Sequence, residues 1–191
     1  MVATSAAFGL DAAYHPSGLI KATAYPNGIS SGYGTAIYKG APVFLLTTGY
    51  LNLAANATDA LLGAFAGVEY TDPVTQRPVV SPYWGSGQTY TGTMTAYVWD
   101  DPDIEYRIQA SGAVAQAGIG DQADLTSVTA GSTSTGISGA MLNATLTGSG
   151  NQGQLRITGL DPAIDNAWGD AYTVVRVQIA EHQYRANKVA I

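Results

Sequence analysis

Three residue patterns in this chain have the right types to do chemistry. The densest is acidic: Asp100, Asp101 and Asp103 crowd around Pro102. Carboxylate oxygens at that density could hold Ca²⁺, and any two of them would supply the paired groups of glycoside hydrolysis. A calcium loop, however, spaces its ligands on alternate residues and turns at a glycine. Here two carboxylates are adjacent and a proline stiffens the middle. The nearer reading is a solvated turn in which Asp side chains accept hydrogen bonds from backbone N–H groups.

The second pattern is nucleophilic. Gly28-Ile29-Ser30-Ser31-Gly32 satisfies G-x-S-x-G, and aspartates and His182 follow in the order Ser, Asp, His. A nucleophile elbow needs a strand entering it and a helix leaving it. Here the Pro26-Asn27-Gly28 turn precedes, and Tyr33-Gly34 and a strand follow, so a serine hydrolase using Ser30 is a remote alternative. The third pattern would suit phosphate. Residues Gly148 to Gly153 read G-x-G-x-x-G, and Gly118 to Ala123 read its Ala-ended variant. Pyrophosphate in such motifs is held by the N-terminus of a helix, and neither loop runs into a helical period. No catalytic residue, cofactor-binding residue or metal ligand is assigned on these grounds, and the chain is not expected to be an enzyme.

Composition removes further classes. The net charge is -6 and the eight basic residues are scattered singly, so no nucleic acid is expected as a partner. There is no cysteine, hence no disulfide or thiolate chemistry. His15 and His182 stand too far apart in sequence for a spaced metal pair. The uncharged stretch 41–58 is broken by Pro42, Gly49, Asn52 and Asn56, so no membrane span is expected. The first residues lack the basic region and apolar run of a signal peptide, which points to a soluble product of a cytoplasm and leaves the sequons at Asn56 and Asn143 moot. Trp84, Trp99, Trp168 and the 12 tyrosines read as packing groups before they read as a sugar-binding face.

The elements that must position these groups are strands. Ile104, Tyr106, Ile108 and Ala110 alternate with Glu105, Arg107 and Gln109, and Val174 to Ala180 alternate likewise. Strands are also predicted over residues 35–39, 42–48, 50–54, 63–70, 79–80, 141–146 and 154–160, with prolines at the joints. Residues 56–62 are the best candidate for a helical turn, capped by Thr58 or Asp59. The predicted fold is all-β: two small β-barrel or β-sandwich modules, residues 20–110 and 111–191, behind an extended N-terminal arm, residues 1–19. The acidic cluster at 100–103 then sits in a hairpin or a corner.

Three blocks carry a resemblance. Thr35-Ala36-Ile37-Tyr38-Lys39-Gly40-Ala41-Pro42-Val43 is followed by Gly63-Ala64-Phe65-Ala66-Gly67-Val68-Glu69-Tyr70, then by Ala96-Tyr97-Val98-Trp99-Asp100-Asp101-Pro102 with Tyr106-Arg107-Ile108-Gln109. Over about residues 33–110 this order and spacing resembles the capsid decoration (cement, head-stabilising) proteins of tailed bacteriophages. The resemblance implies an all-β virion protein, made in the host bacterial cytoplasm, that binds the major capsid protein on the capsid exterior. It further implies a homo-oligomer, trimer favoured, at local symmetry axes, with no cofactor. The matched blocks look like framework, so no functional residue is carried over. Phe8, Leu10 and Tyr14 in the arm are the expected capsid contacts. The alternative is a tail or head-surface β module that binds host glycans or receptors.

Overall fold

A computed structural model describes residues 4–185, and their regular structure is almost wholly antiparallel strand. In chain order these begin with β1 (Asp11–Tyr14), β2 (Thr23–Pro26), β3 (Ile37–Tyr38), β4 (Pro42–Leu45) and β5 (Leu51–Leu53). The long β6 (Gly63–Thr71) follows, then β7 (Pro78–Ser81), β8 (Tyr83–Trp84), β9 (Met94–Trp99) and β10 (Glu105–Gln109). A 3₁₀ turn at Gln116–Gly118 precedes β11 (Gln122–Ala123), β12 (Leu125–Thr126), β13 (Met141–Leu142), β14 (Leu155–Leu160) and β15 (Val174–Ile179).

Two sheets dominate. One is five-stranded in the order β1-β10-β15-β14-β11; the other runs β2-β9-β6-β4-β5, with β7 also paired to β6. Alternation sets what each buries. Met94, Ala96 and Val98 of β9 point inward while Thr95, Tyr97 and Trp99 stay half-exposed. Val175, Val177 and Ile179 of β15 do the same for the other sheet. Two apolar clusters result. The first gathers Leu10, Tyr106, Ile108, Ile157, Val175 and Val177. The second gathers Ile37, Val43, Phe65, Trp84 and Val98.

The acidic stretch joins these sheets. β9 belongs to the six-stranded sheet and β10 to the five-stranded one, so residues 100–104 form a corner between sheets. Ile104 N–H donates to the Asp101 carbonyl at 3.1 Å, closing the turn over Pro102.

Sheet membership does not follow the expected division at residue 110. β10 pairs with β15 from the second half, and β1, inside the expected arm, pairs with β10 through Asp11↔Arg107 and Ala12↔Tyr106. Alternation says which face a strand buries and is silent about its neighbour. Residues 10–14 of the arm are therefore part of a sheet and its core, while residues 15–19 form an exposed turn beyond β1. The arm's entry is pinned where it crosses the β3–β4 turn: Leu10 N–H donates to the Gly40 carbonyl at 2.8 Å. Gly9 and Gly40 have φ of 73° and 81°, and a Cβ on Gly9 would strike the Gly40 carbonyl, so both positions require glycine.

Residues 56–62 form no helix. Asp59 accepts from Asn56 N–H at 3.0 Å in a tight turn, and Leu61 is fully buried in a parallel bridge to His182. That bridge belongs to a strap. Leu61 N–H donates to the Glu181 carbonyl at 2.7 Å and Gln183 N–H to the Leu61 carbonyl at 2.8 Å. The Gln183 carboxamide then accepts from Leu45 N–H at 2.7 Å and donates to the Leu45 carbonyl at 3.0 Å. Residues after β15 thus tie the end of one sheet to the other.

Candidate functional site

The corner at 100–103 collects more polar side chains than any residue type or spacing announced. Asp100 accepts from the Thr23 hydroxyl at 2.6 Å and the Tyr25 hydroxyl at 2.5 Å, both on β2. Asp101 accepts from Asp103 N–H at 2.9 Å, and its other oxygen lies 3.4 Å from His15 Nε2. Asp103 accepts from Arg185 Nη2 at 2.7 Å. Below them Tyr106 donates its hydroxyl to the Trp99 carbonyl at 2.7 Å. Segments from both ends of the described chain meet here, His15 just after β1 and Arg185 beyond β15.

Protonation follows from these partners. The Asp103 N–H, and after it the His15 ring, holds Asp101 below the usual carboxylate range. Burial, then the bond to Asp100, raises the Tyr25 phenol. His182 is 1% exposed and burial lowers its proton affinity; its Nδ1 accepts from Tyr184 N–H at 3.1 Å. His15 Nδ1 accepts from Ser17 N–H at 3.1 Å, which leaves the proton of the neutral ring on Nε2, facing Asp101.

That tautomer bears on metal binding. His15, Asp101 and Asp103 offer ligand atoms within 4.8 Å of one another. A cation there would have to shift the His15 ring proton to Nδ1, at the expense of the bond from Ser17 N–H, and displace the Arg185 guanidinium from Asp103. The donor set fits a charge clasp better than an ion cage.

The other sequence candidates stay apart. Ser30 is exposed in its turn, its carbonyl accepting from Tyr33 N–H at 3.1 Å, and among the described residues it makes no hydrogen bond to either histidine. The loop at 148–153 leads into β14, and the one at 118–123 into β11, so neither meets a helix. Of the expected capsid contacts, Leu10 is 0% exposed and belongs to the core, a correction to its surface role. Tyr14 is 48% exposed. Phe8 is half-buried with the Arg107 guanidinium 5.5 Å over its ring.

A second feature had no motif to announce it. A cavity of ≈ 190 Å³ opens between the N-terminal segment and the six-stranded sheet, lined by Phe8, Lys39, Trp99, Arg107 and Ile137 over Leu10. Lys39 Nζ stands 5.7 Å from the Trp99 ring centre. Through Lys39 and Trp99 the cavity continues into a depression of ≈ 440 Å³ floored by Ala66 and Gly67 and walled by Tyr97 and Val80. Through Phe8 and Ile137 it continues toward Thr135 and Ser138. The three form one groove. Its only sequence signal was the half-exposed phase of β9, Tyr97 and Trp99, on a strand flanked by the small residues of β6. With this geometry in view, no protein-family model, curated protein or solved structure matches the chain.

Proposed function

We propose that this chain is a virion structural protein that binds the outer surface of a phage capsid, through the major capsid protein, and stabilises the head by contact area. The observation that supports this reading is the outer face of the six-stranded sheet. The blocks at 63–70 and 96–102 that resemble decoration proteins are neighbouring strands there, β6 and β9. They present half-exposed Tyr97 and Trp99 above a floor of small residues. Apolar aromatic surface beside scattered charge is what a protein interface of moderate size uses. Phe8 and Tyr14 lie within reach of a partner; Leu10 does not.

Co-sedimentation with empty capsids tests the reading. Saturable pelleting, lost on Tyr97→Ala with an unchanged thermal midpoint, is expected; Trp99 also packs against the first apolar cluster, so Trp99→Ala is compared at a temperature below its own lowered midpoint. Point substitutions are used in place of a deletion of the N-terminal segment, because Leu10 belongs to the core. A second reading, a tail or head-surface module that binds host glycans, draws on the same two aromatic rings, since sugars stack on such faces. Binding to host cells without binding to capsids would favour it and sink the first.

A further inference from the structure

The loop between β14 and β15 presents an isoleucine to solvent. Ile164 is 106% exposed, and Asp165 beside it is exposed too. The loop is nevertheless held fast. The Asn166 carboxamide donates to the Asp161 and Val174 carbonyls at 2.8 and 2.7 Å and accepts from Val174 N–H at 3.0 Å. Ala163 N–H closes on the Asp161 carbonyl at 2.8 Å. An apolar tip on a pinned loop loses little conformational freedom when it docks.

The groove described above is its complement. It offers a cavity large enough for a branched aliphatic side chain, with Phe8, Trp99 and Ile137 as apolar walls, Lys39 at its side, and the Asp11 carboxylate in its lining already paired to Arg107 at 2.7 Å. Among the described residues Lys39 makes no ion pair, and neither does Asp165. One surface thus carries an exposed aliphatic tip beside an unpaired carboxylate, and the other an apolar socket beside an unpaired ammonium. Among the other exposed aliphatic side chains, Val74 stands beside Asp72, whose carboxylate is used by its own turn, accepting from Val74 and Thr75 N–H; Leu19 has no acidic neighbour in sequence, and Val80 and Ile137 line the groove itself.

We infer that the 161–166 loop of one copy seats Ile164 in the Phe8–Trp99 cavity of a second copy, with Asp165 against Lys39, joining the chains head to tail. Knob and socket are different surfaces, so the contact is heterologous and can close into a ring of more than two copies. The inference goes beyond capsid binding and does not rest on it: purified chain, without capsids, is sufficient material.

Sedimentation velocity of the full chain, from about 1 µM to about 1 mM, reads it out. Concentration-dependent oligomers are expected for the wild type. Ile164→Asp should weaken them roughly 10- to 100-fold, the range set by losing one buried aliphatic anchor. Asp165→Lys and Lys39→Glu should each weaken them, and the double variant should restore most of the association. Thermal unfolding of each variant checks the fold, and Asp165→Lys, on an exposed loop, serves if Lys39→Glu is poorly folded. A wild type that stays monomeric to the highest concentration overturns the inference. So does an Ile164→Asp variant that associates like the wild type, or charge-swapped chains that fail to re-associate. Capsid co-sedimentation of the wild type is scored separately, so a wild type that self-associates but does not pellet with capsids counts only against the capsid reading.

Discussion

The acidic corner and the Lys39–Trp99 groove make an instructive pair. The corner holds three carboxylates within four residues, yet each is engaged: Asp100 by two hydroxyls, Asp101 by a backbone N–H and His15, Asp103 by Arg185. The groove has few charges, but its ammonium has no carboxylate partner among the described residues and its aromatic rings are half-exposed. Density of polar groups is therefore a poor guide to availability. A satisfied cluster stabilises the fold, and an unsatisfied edge invites a partner.

If that contrast is right, substitutions at the corner and in the core beneath it should be read in stability, and those along the groove rim in association. The largest effect is expected below both regions. Leu10→Ala should cost about 2–5 kcal/mol in denaturant unfolding, because Leu10 is fully buried, whereas Tyr14→Ala should stay within about 0.5 kcal/mol. Equal losses would return residues 4–14 to the status of a loose arm. Next comes Asp100→Ala, which strips the partner from the Tyr25 and Thr23 hydroxyls and should cost about 1–2 kcal/mol. A neutral result there would mean that the corner holds nothing.

Acid should then act in two stages. Burial lowers the affinity of His182 for its proton in the folded chain, so the unfolded chain takes up that proton first. Stability is complete above the ordinary histidine value of 6.5 and falls below it, by at most about 1.4 kcal/mol per pH unit. His182→Gln should flatten the slope between about pH 5 and 6.5. Asp101, held below its ordinary value, contributes above about pH 4 and loses that contribution as pH falls through its native value. Asp101→Asn should remove this lower stage alone. Smaller still is Arg185→Gln: its pair with Asp103 is about half exposed on both sides, so a loss of about 0.5 kcal/mol that disappears in high salt is expected. Smallest is Lys39→Met at the groove rim, neutral in stability to within about 0.5 kcal/mol, while its effect on self-association should be measurable.

What the sequence disclosed and what it withheld divide along physical lines. The centres of β6, β10, β14 and β15 were legible because alternation and β-branched or aromatic residues are local properties. The short strands β11 and β12 lie among Gly, Ala, Ser and Thr with too few residues to show a period, and of the strand expected over 141–146 only β13, Met141–Leu142, forms. Pairing was illegible throughout. Nothing around Asp11 announces Arg107, and nothing around Leu61 announces His182, because partners are chosen by contacts many residues away. The same holds for the candidate site. The three aspartates stood out at once, but their partners Thr23 and Tyr25, His15 and Arg185 come from three distant segments. The groove needed Phe8, Lys39, Trp99 and Ile137 to converge from four separate segments, and the blocks that contain Lys39 and Trp99 read as framework.

The carboxamide of Gln183 has a consequence for how this protein behaves among its own kind. Past Val43, β4 has run beyond its pairing with β6, and the N–H and carbonyl of Leu45 would face outward as an open template. Such a template recruits strands from other molecules and is a common seed of aggregation. Gln183 occupies both groups with one acceptor and one donor, as a passing peptide unit would. A single side chain impersonates the missing backbone, and the sheet is guarded against unwanted extension at the place where its own strands run out.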